Sequence, residues 1–218
     1  MHPTSSSGDG TDASPNAASA AEHPQSNHGV MKRVAILAIS VLLATVAAIG
    51  FLAADQESAT AAGGKVNRCS GGKIFLDANE KRTFVLHNEI RRKHNLPTFC
   101  VQPALEKAAR DHSEDMIQKD YFSHDTEGRN ETAEERIKRF GYTPQGYSFY
   151  MIGENIALGN GSSGEPDSIM NSWMKSSDHR HNILNGKFRE IGIGVSTGNW
   201  QGNDGVNMYT ADFGIRKH

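Results

Sequence analysis

The sequence predicts a mixed α+β fold, because helical and strand patterns follow one another in no regular order. Apolar residues recur at helical spacing after Lys81, after Pro103 and after Pro166. Residues 191–195 and 206–215 alternate instead at period two, which predicts an antiparallel hairpin. Mixed order with short hairpins favours α+β over a parallel, doubly wound sheet.

The first two predicted helices have clear ends. The first carries Phe84 and Ile90 on one face and ends at residues 95–97, Asn-Leu-Pro, because the residue before a proline is driven out of the α region. The second begins at Pro103, a favourable first helical residue, and runs to about Lys119. Its apolar stripe comprises Leu105, Ala108, Ala109, His112 and Met116. A lone histidine on such a stripe, like His112, is more often a hydrogen-bonded core residue than a functional one.

The second half of the chain adds a short helix, a strand and another helix. Residues 132–140 predict the short helix, with acidic residues in its first turn and Gly141 just past its end. Residues 147–157 are aromatic and β-prone, and so predict a strand. A helix begins at Pro166, and its pattern ends within residues 173–184.

Length and charge limit the function classes. A chain of 218 residues holds one domain with appendages. The formal net charge of −2 supplies no basic face for a phosphate backbone, so we do not expect a nucleic-acid partner.

The N-terminal part predicts a membrane anchor. Residues 1–33 hold few large apolar side chains, which predicts a disordered cytoplasmic tail. An uncharged run, residues 34–54, follows Lys32 and Arg33 and precedes Asp55. At about 1.5 Å per residue this run matches the hydrocarbon core, and the preceding cations place the C-terminal domain outside the cell.

A cleaved signal peptide is the alternative, starting at Met31 with a cleavage site near residues 59–61, Ala-Thr-Ala. The uncharged run exceeds the usual length of a signal core, which favours the single-pass anchor over a secreted form. Both alternatives export residues 62–218. Residues 55–74 are predicted as a linker and residues 75–218 as the exported domain.

Cys69 and Cys100 are the only cysteines, and they form no metal-binding or redox motif. In an exported domain they most simply form one disulfide, which would stabilise the fold by about 3–4 kcal/mol in the chain-entropy model. Two buried free thiols are the alternative.

Four residues at the ends of elements carry the most chemistry: His124, Glu154, His179 and His181. Imidazoles and a carboxylate are ligands that zinc accepts, but their separation along the chain forms no compact metal motif. Serine hydrolase chemistry lacks its G-x-S-x-G turn, and serines at a helix end, such as Ser176, are more often turn formers than nucleophiles.

A set of motifs resembles the bacterial branch of the CAP superfamily, also called SCP domains, which includes cysteine-rich secretory proteins, antigen 5 and pathogenesis-related type one proteins. The motifs are Tyr-Phe-Ser-His at 121–124, Gly-Glu-Asn-Ile-Ala at 153–157, His-Arg-His-Asn-Ile-Leu at 179–184, Ile-Gly-Ile-Gly-Val at 191–195 and Thr-Ala-Asp-Phe-Gly at 210–214. The resemblance covers about residues 80–215.

The resemblance implies a three-layer α-β-α sandwich with a central antiparallel sheet and a surface cleft. In that family two histidines and two acids line the cleft, and several members hold a divalent ion there, which here implies zinc or calcium. His124, Glu154 and His179 match the metal-site positions, whereas Ser176 stands where the second acid is expected. His181 is an additional imidazole beside the motif.

The uncharged run at residues 34–54 and the resemblance together predict a membrane-tethered extracellular binding module for a small ligand, lipid or cell-wall component. The alternative is a metal-dependent hydrolase of cell-wall or extracellular peptides, with Glu154 as general base. Because Ser176 replaces a carboxylate, the sequence favours binding over catalysis.

Overall fold

The computed structural model describes residues 62–218. The predicted tail, residues 1–33, and the predicted transmembrane run, residues 34–54, lie outside this range. Within the described range no helix is long and apolar enough to cross a membrane.

Six strands and five α-helices make up the described part of the chain. The strands are β1 (Gly64–Asn67), β2 (Lys73–Leu76), β3 (Cys100–Val101), β4 (Phe149–Asn160), β5 (Glu190–Trp200) and β6 (Asn203–Lys217). The helices are α1 (Ala78–Lys93), α2 (Pro103–Gln118), α3 (Ala133–Arg139), α4 (Pro166–Lys175) and α5 (Ser177–Leu184). The predicted α+β class is confirmed.

The main sheet has the strand order β3-β5-β6-β4. β6 pairs antiparallel with both β4 and β5, while the short β3 pairs parallel with β5. The predicted hairpin is therefore the β5–β6 pair, longer than its apolar alternation indicated. β4 also extends past the predicted strand, because its pairing with β6 continues to Asn160.

Different helices cover the two faces of this sheet. On one face Ile191, Ile193 and Phe213 pack with Trp173 of α4 and Leu86 of α1. On the other face β5 carries glycines, since a Cβ at Gly192 or Gly194 would stand 2.1 Å or 2.3 Å from the backbone of α2. These glycines let α2 lie directly on the strand, with no side chain between them.

Capping residues fix several helix starts. Asp77 and Glu80 form a capping box, so α1 begins three residues before the predicted Lys81. Thr132 and Glu135 form another at α3. Pro103 and Pro166 occupy the first positions of α2 and α4, as predicted.

Two local features differ from the sequence prediction. A linker is predicted over residues 55–74, but from Gly64 the chain forms the β1–β2 hairpin, which turns through Gly71 and Gly72 at positive φ. The helical pattern is predicted to end within residues 173–184, whereas a new helix, α5, begins at Ser177. The Cys69–Cys100 disulfide is present and links the hairpin region to β3.

Candidate functional site

A histidine–glutamate pair stands where the loop after α2 meets β4. His124 Nδ1 lies 2.7 Å from Glu154 Oε1. The Glu154 side chain is only 4% exposed, while that of His124 is 54% exposed. The carboxylate is thus held inside the protein, and the imidazole on it faces solvent.

A buried arginine completes this pair. Arg136 of α3 is fully buried and donates from Nη2 to Glu154 Oε2. Its Nη1 donates to the His124 carbonyl oxygen at 3.1 Å and to Thr126 Oγ1 at 3.0 Å. One guanidinium therefore compensates the negative charge of the glutamate and also fixes the loop that carries His124.

These contacts set the charges of the pair. Burial by itself would raise the pKa of Glu154, but the hydrogen bond from His124 and the charge of Arg136 outweigh it, so the pKa lies below its ordinary value. The same hydrogen bond to Glu154 raises the pKa of His124, and partial burial opposes this rise without cancelling it. The site thus favours an ionised carboxylate beside a protonated imidazole.

A second, fully buried carboxyl lies beneath the pair. Asp212 of β6 is the strand partner of Glu154, and neither of its carboxyl oxygens has a hydrogen-bond partner within residues 62–218. Burial and the negative charge of Glu154 raise the pKa of Asp212 well above its ordinary value. Burial thus favours the protonated form of Asp212, while Glu154 carries the negative charge.

His112 lies in the same buried region and is a core residue. It is fully buried, and its Nε2 lies 2.9 Å from the Ser123 carbonyl oxygen. Burial lowers the pKa of His112 to about 4, so the ring is neutral at pH 7. The expectation of a hydrogen-bonded core histidine is confirmed.

Asparagines hold α5 against β4 beside this pair. Asn155 Nδ2 donates to the His179 carbonyl oxygen at 3.0 Å. Asn182 Nδ2 donates to the Glu154 carbonyl oxygen at 3.1 Å and to Asn155 Oδ1 at 2.9 Å. These bonds tie the backbone of the helix that carries His179 to the strand that carries Glu154.

His179 is half-buried and close enough to His124 for the charge of His124 to affect its pKa. Burial lowers the pKa of His179, and the positive charge of His124 lowers it further. Ser176 stands between α4 and α5, where its amide donates to the Ser172 carbonyl oxygen and its own carbonyl accepts from the Arg180 amide. His181 is exposed and lines a different cavity, with Arg180 and Lys187.

The expected metal site is not formed by the side chains as they stand. Within residues 62–218 no three His, Cys, Asp or Glu side chains are arranged to hold a metal ion. Direct ligation by Glu154 would also compete with its bonds to His124 and Arg136. The residues as placed do not fit a zinc centre with three protein ligands.

Sequence reasoning missed Arg136 and Asp212. Asp212 gave a usable signal, since a carboxyl in the middle of an apolar strand is a candidate for a perturbed group. Arg136 gave none, because it lies among other charged residues on a short helix.

The described residues thus form an α+β domain whose helix-covered sheet carries a histidine–glutamate pair at its surface. The family model "CAP: Cysteine-rich secretory protein family" matches residues 84–213, and the chain belongs to this family. Among curated proteins of Bacillus subtilis (strain 168), "Uncharacterized protein YkwD" is 35% identical over 145 residues, 65% of this chain and 53% of YkwD. "Uncharacterized membrane protein YlbC" is 32% identical over 123 residues, 56% of this chain and 33% of YlbC.

Solved structures agree with this fold. An extracellular protein containing a SCP domain from Bacillus anthracis is 30% identical with a TM-score of 0.52, over 67% of this chain and 47% of that chain. An outer surface protein from Borrelia burgdorferi has the same TM-score of 0.52 at 21% identity, over 71% of this chain and 99% of that chain, and supports the fold alone. The chain spans about half the length of YkwD and of the Bacillus anthracis protein, and about a third of the length of YlbC.

Proposed function

We propose that the protein is an extracellular, membrane-tethered binding module whose cleft, formed by His124, Glu154 and His179, takes a small lipid-like or cell-wall-derived ligand. The hydrogen bonds of Glu154 support binding without catalysis, because both carboxylate oxygens already accept hydrogen bonds, from Arg136 and from His124. A carboxylate whose pKa is lowered and whose two oxygens are already hydrogen-bonded orients His124 and is a weak base toward water.

Export and tethering rest on separate observations. The Cys69–Cys100 disulfide fits an oxidising compartment. The Bacillus anthracis relative is described as extracellular and YlbC as a membrane protein. The uncharged run at residues 34–54 supplies the proposed anchor.

A zinc ion is the second ligand that we propose to test, because imidazole nitrogens suit zinc better than calcium. His124 Nε2 has no hydrogen-bond partner within residues 62–218, because the contact with Glu154 uses Nδ1. A carboxylate on one ring nitrogen orients the other toward a ligand, as the outer partners of metal-bound histidines do. His124 and His179 would then bind the ion, and Glu154 would act through His124.

Calorimetric titration of zinc into the full chain, held in phosphatidylcholine nanodiscs, tests this arm. We expect the His124→Ala/His179→Ala variant to lose one class of sites that the matched His94→Ala/His218→Ala variant keeps. Zinc bound by the histidines that neither variant replaces cancels in this comparison. Equal titration curves for the two variants would end the metal proposal.

The binding proposal itself is tested with soluble cell-wall fragments and a short fatty acid on the same two variants. Binding that the cleft variant loses and the control variant keeps supports it. Cleavage of wall fragments by wild type, abolished in Glu154→Gln, would contradict a non-catalytic module and establish the hydrolase alternative.

A further inference from the structure

A second cavity, distinct from the cleft, runs along α5 from Ser177 to Leu184 and continues to Lys187. Its volume is about 700 Å³, within the range of small-molecule sites. Met151 and Leu184 supply its apolar part, and Arg180, His181 and Lys187 supply its basic part. None of the three cleft residues lines it.

A buried arginine from another helix fixes one wall of this cavity. Arg91 of α1 donates to the carbonyl oxygens of Ile183 at 2.8 Å, Asn185 at 3.0 Å and Phe188 at 3.0 Å. Arg189 donates to the carbonyls of residues 186 and 187 in the same loop. The cavity wall is thus preformed, and its backbone carbonyls are engaged by arginines outside the cavity lining.

The basic side chains of this cavity are uncompensated. Within residues 62–218 none of Arg180, His181 and Lys187 takes part in an ion pair. No carboxylate from the described residues lines the cavity. Arg139, by contrast, pairs with both Asp111 and Glu131.

The donors suit a tetrahedral anion. Arg180 is held by one bond, from Nη1 to the Met174 carbonyl oxygen at 3.0 Å, which leaves the rest of its guanidinium for a ligand. Asn185 and Lys187 line the same cavity. Arginine and lysine together are the usual partners of phosphate oxygens.

We propose that this cavity binds an organic phosphate, with the phosphate on Arg180, His181 and Lys187 and an apolar group on Met151 and Leu184. The site goes beyond the proposed cleft function, since the two share no lining residue. Inorganic phosphate satisfies only the basic half of the cavity, so the organic group should add affinity.

Calorimetry with hexyl phosphate and with inorganic phosphate tests the proposal on the full chain in phosphatidylcholine nanodiscs. We expect hexyl phosphate to bind wild type about tenfold more tightly than inorganic phosphate, because burial of each methylene favours binding. The Arg180→Gln/Lys187→Gln variant should weaken hexyl phosphate binding at least about tenfold, since the anion loses its charged partners.

A matched variant controls for net charge. Arg92 and Lys93 are exposed on α1 and form no ion pair within the described residues, so Arg92→Gln/Lys93→Gln removes the same charge outside the cavity. It should keep wild-type affinity within about twofold.

Equal weakening in both variants, equal affinity of wild type for the two phosphates, or no binding of hexyl phosphate at about 1 mM would each overturn the proposal. Circular dichroism confirms that both variants fold, and the single variants Arg180→Gln and Lys187→Gln replace the double variant if it does not.

Discussion

Two arginines, Arg91 and Arg136, are both fully buried yet have different roles. Arg91 donates only to backbone carbonyls, those of Pro97, Ile183, Asn185 and Phe188, and lies over the ring of Phe99. Arg136 donates to a carboxylate, that of Glu154. The first ties loops together with its charge uncompensated, whereas the second sets the charge of the candidate site.

The difference shows in protonation. Burial, with a smaller contribution from nearby Arg189, lowers the pKa of Arg91 to about 10, so it stays protonated at pH 7. Arg136 instead helps to keep the pKa of Glu154 low. Of these two buried arginines, only the one with an ionisable partner belongs to the candidate site.

The largest effect is expected at Arg91. Arg91→Met should lower the free energy of unfolding by about 4 kcal/mol, because four backbone carbonyls lose their donor. Backbone carbonyls cannot be removed by a second substitution, so the loss cannot be compensated. Urea unfolding followed by tryptophan fluorescence measures it. Arg92→Met, on the exposed face of the same helix, is the control and should change stability by less than about 0.5 kcal/mol. Equal losses in the two variants would refute the structural role of Arg91.

A smaller loss, about 3 kcal/mol, is expected for Arg136→Met at pH 7, because it leaves the Glu154 carboxylate buried beside His124 alone. Adding Glu154→Gln should recover about 1–2 kcal/mol, since the unpaired charge is removed. A double-mutant cycle from urea unfolding measures this coupling. Simple additivity of the two substitutions would show that the pair is not coupled.

The smallest effect is the pH dependence of His124. The bond to Glu154 raises its pKa above the ordinary value of 6.5, so its stabilising contribution is complete below that pH and is lost as pH rises through the raised pKa. The imidazole is half exposed, so the contribution is below about 1 kcal/mol. We expect the advantage of wild type over His124→Asn to be larger at about pH 6 than at about pH 8.5.

The Arg91→Met variant is the control for this measurement, because no ionisable partner faces Arg91 in its hydrogen bonds within residues 62–218. Its deficit should be the same at both pH values. A pH-independent advantage of wild type over His124→Asn would contradict the proposed charge on His124.

Much of the fold was predictable because its signals are local. Pro103 and Pro166 each begin a helix, because proline is favourable at the first helical position. The alternation of Ile191 and Ile193 marks a strand. The α5 helix was missed, since the serines at 176 and 177 interrupt the apolar pattern and the hydrogen bonds that hold the helix to β4 come from Asn155 and Asn182. Contacts of this kind join residues that are distant in sequence.

The candidate site divides in the same way. The residue types of His124, Glu154 and His179, and their place at the ends of elements, could be read from the chain. Arg136 could not, because its role depends on its burial against Glu154, 18 residues away.

The family motifs, the cysteine pair and the order of most helices and strands can be predicted from local spacing and residue type. Which charges are compensated depends instead on the fold. The fold brings Arg136 onto Glu154, buries Asp212 opposite it, and leaves Arg180 and Lys187 without a carboxylate among the described residues. Desolvation and the choice of partner are set by packing between distant segments, which no local pattern encodes.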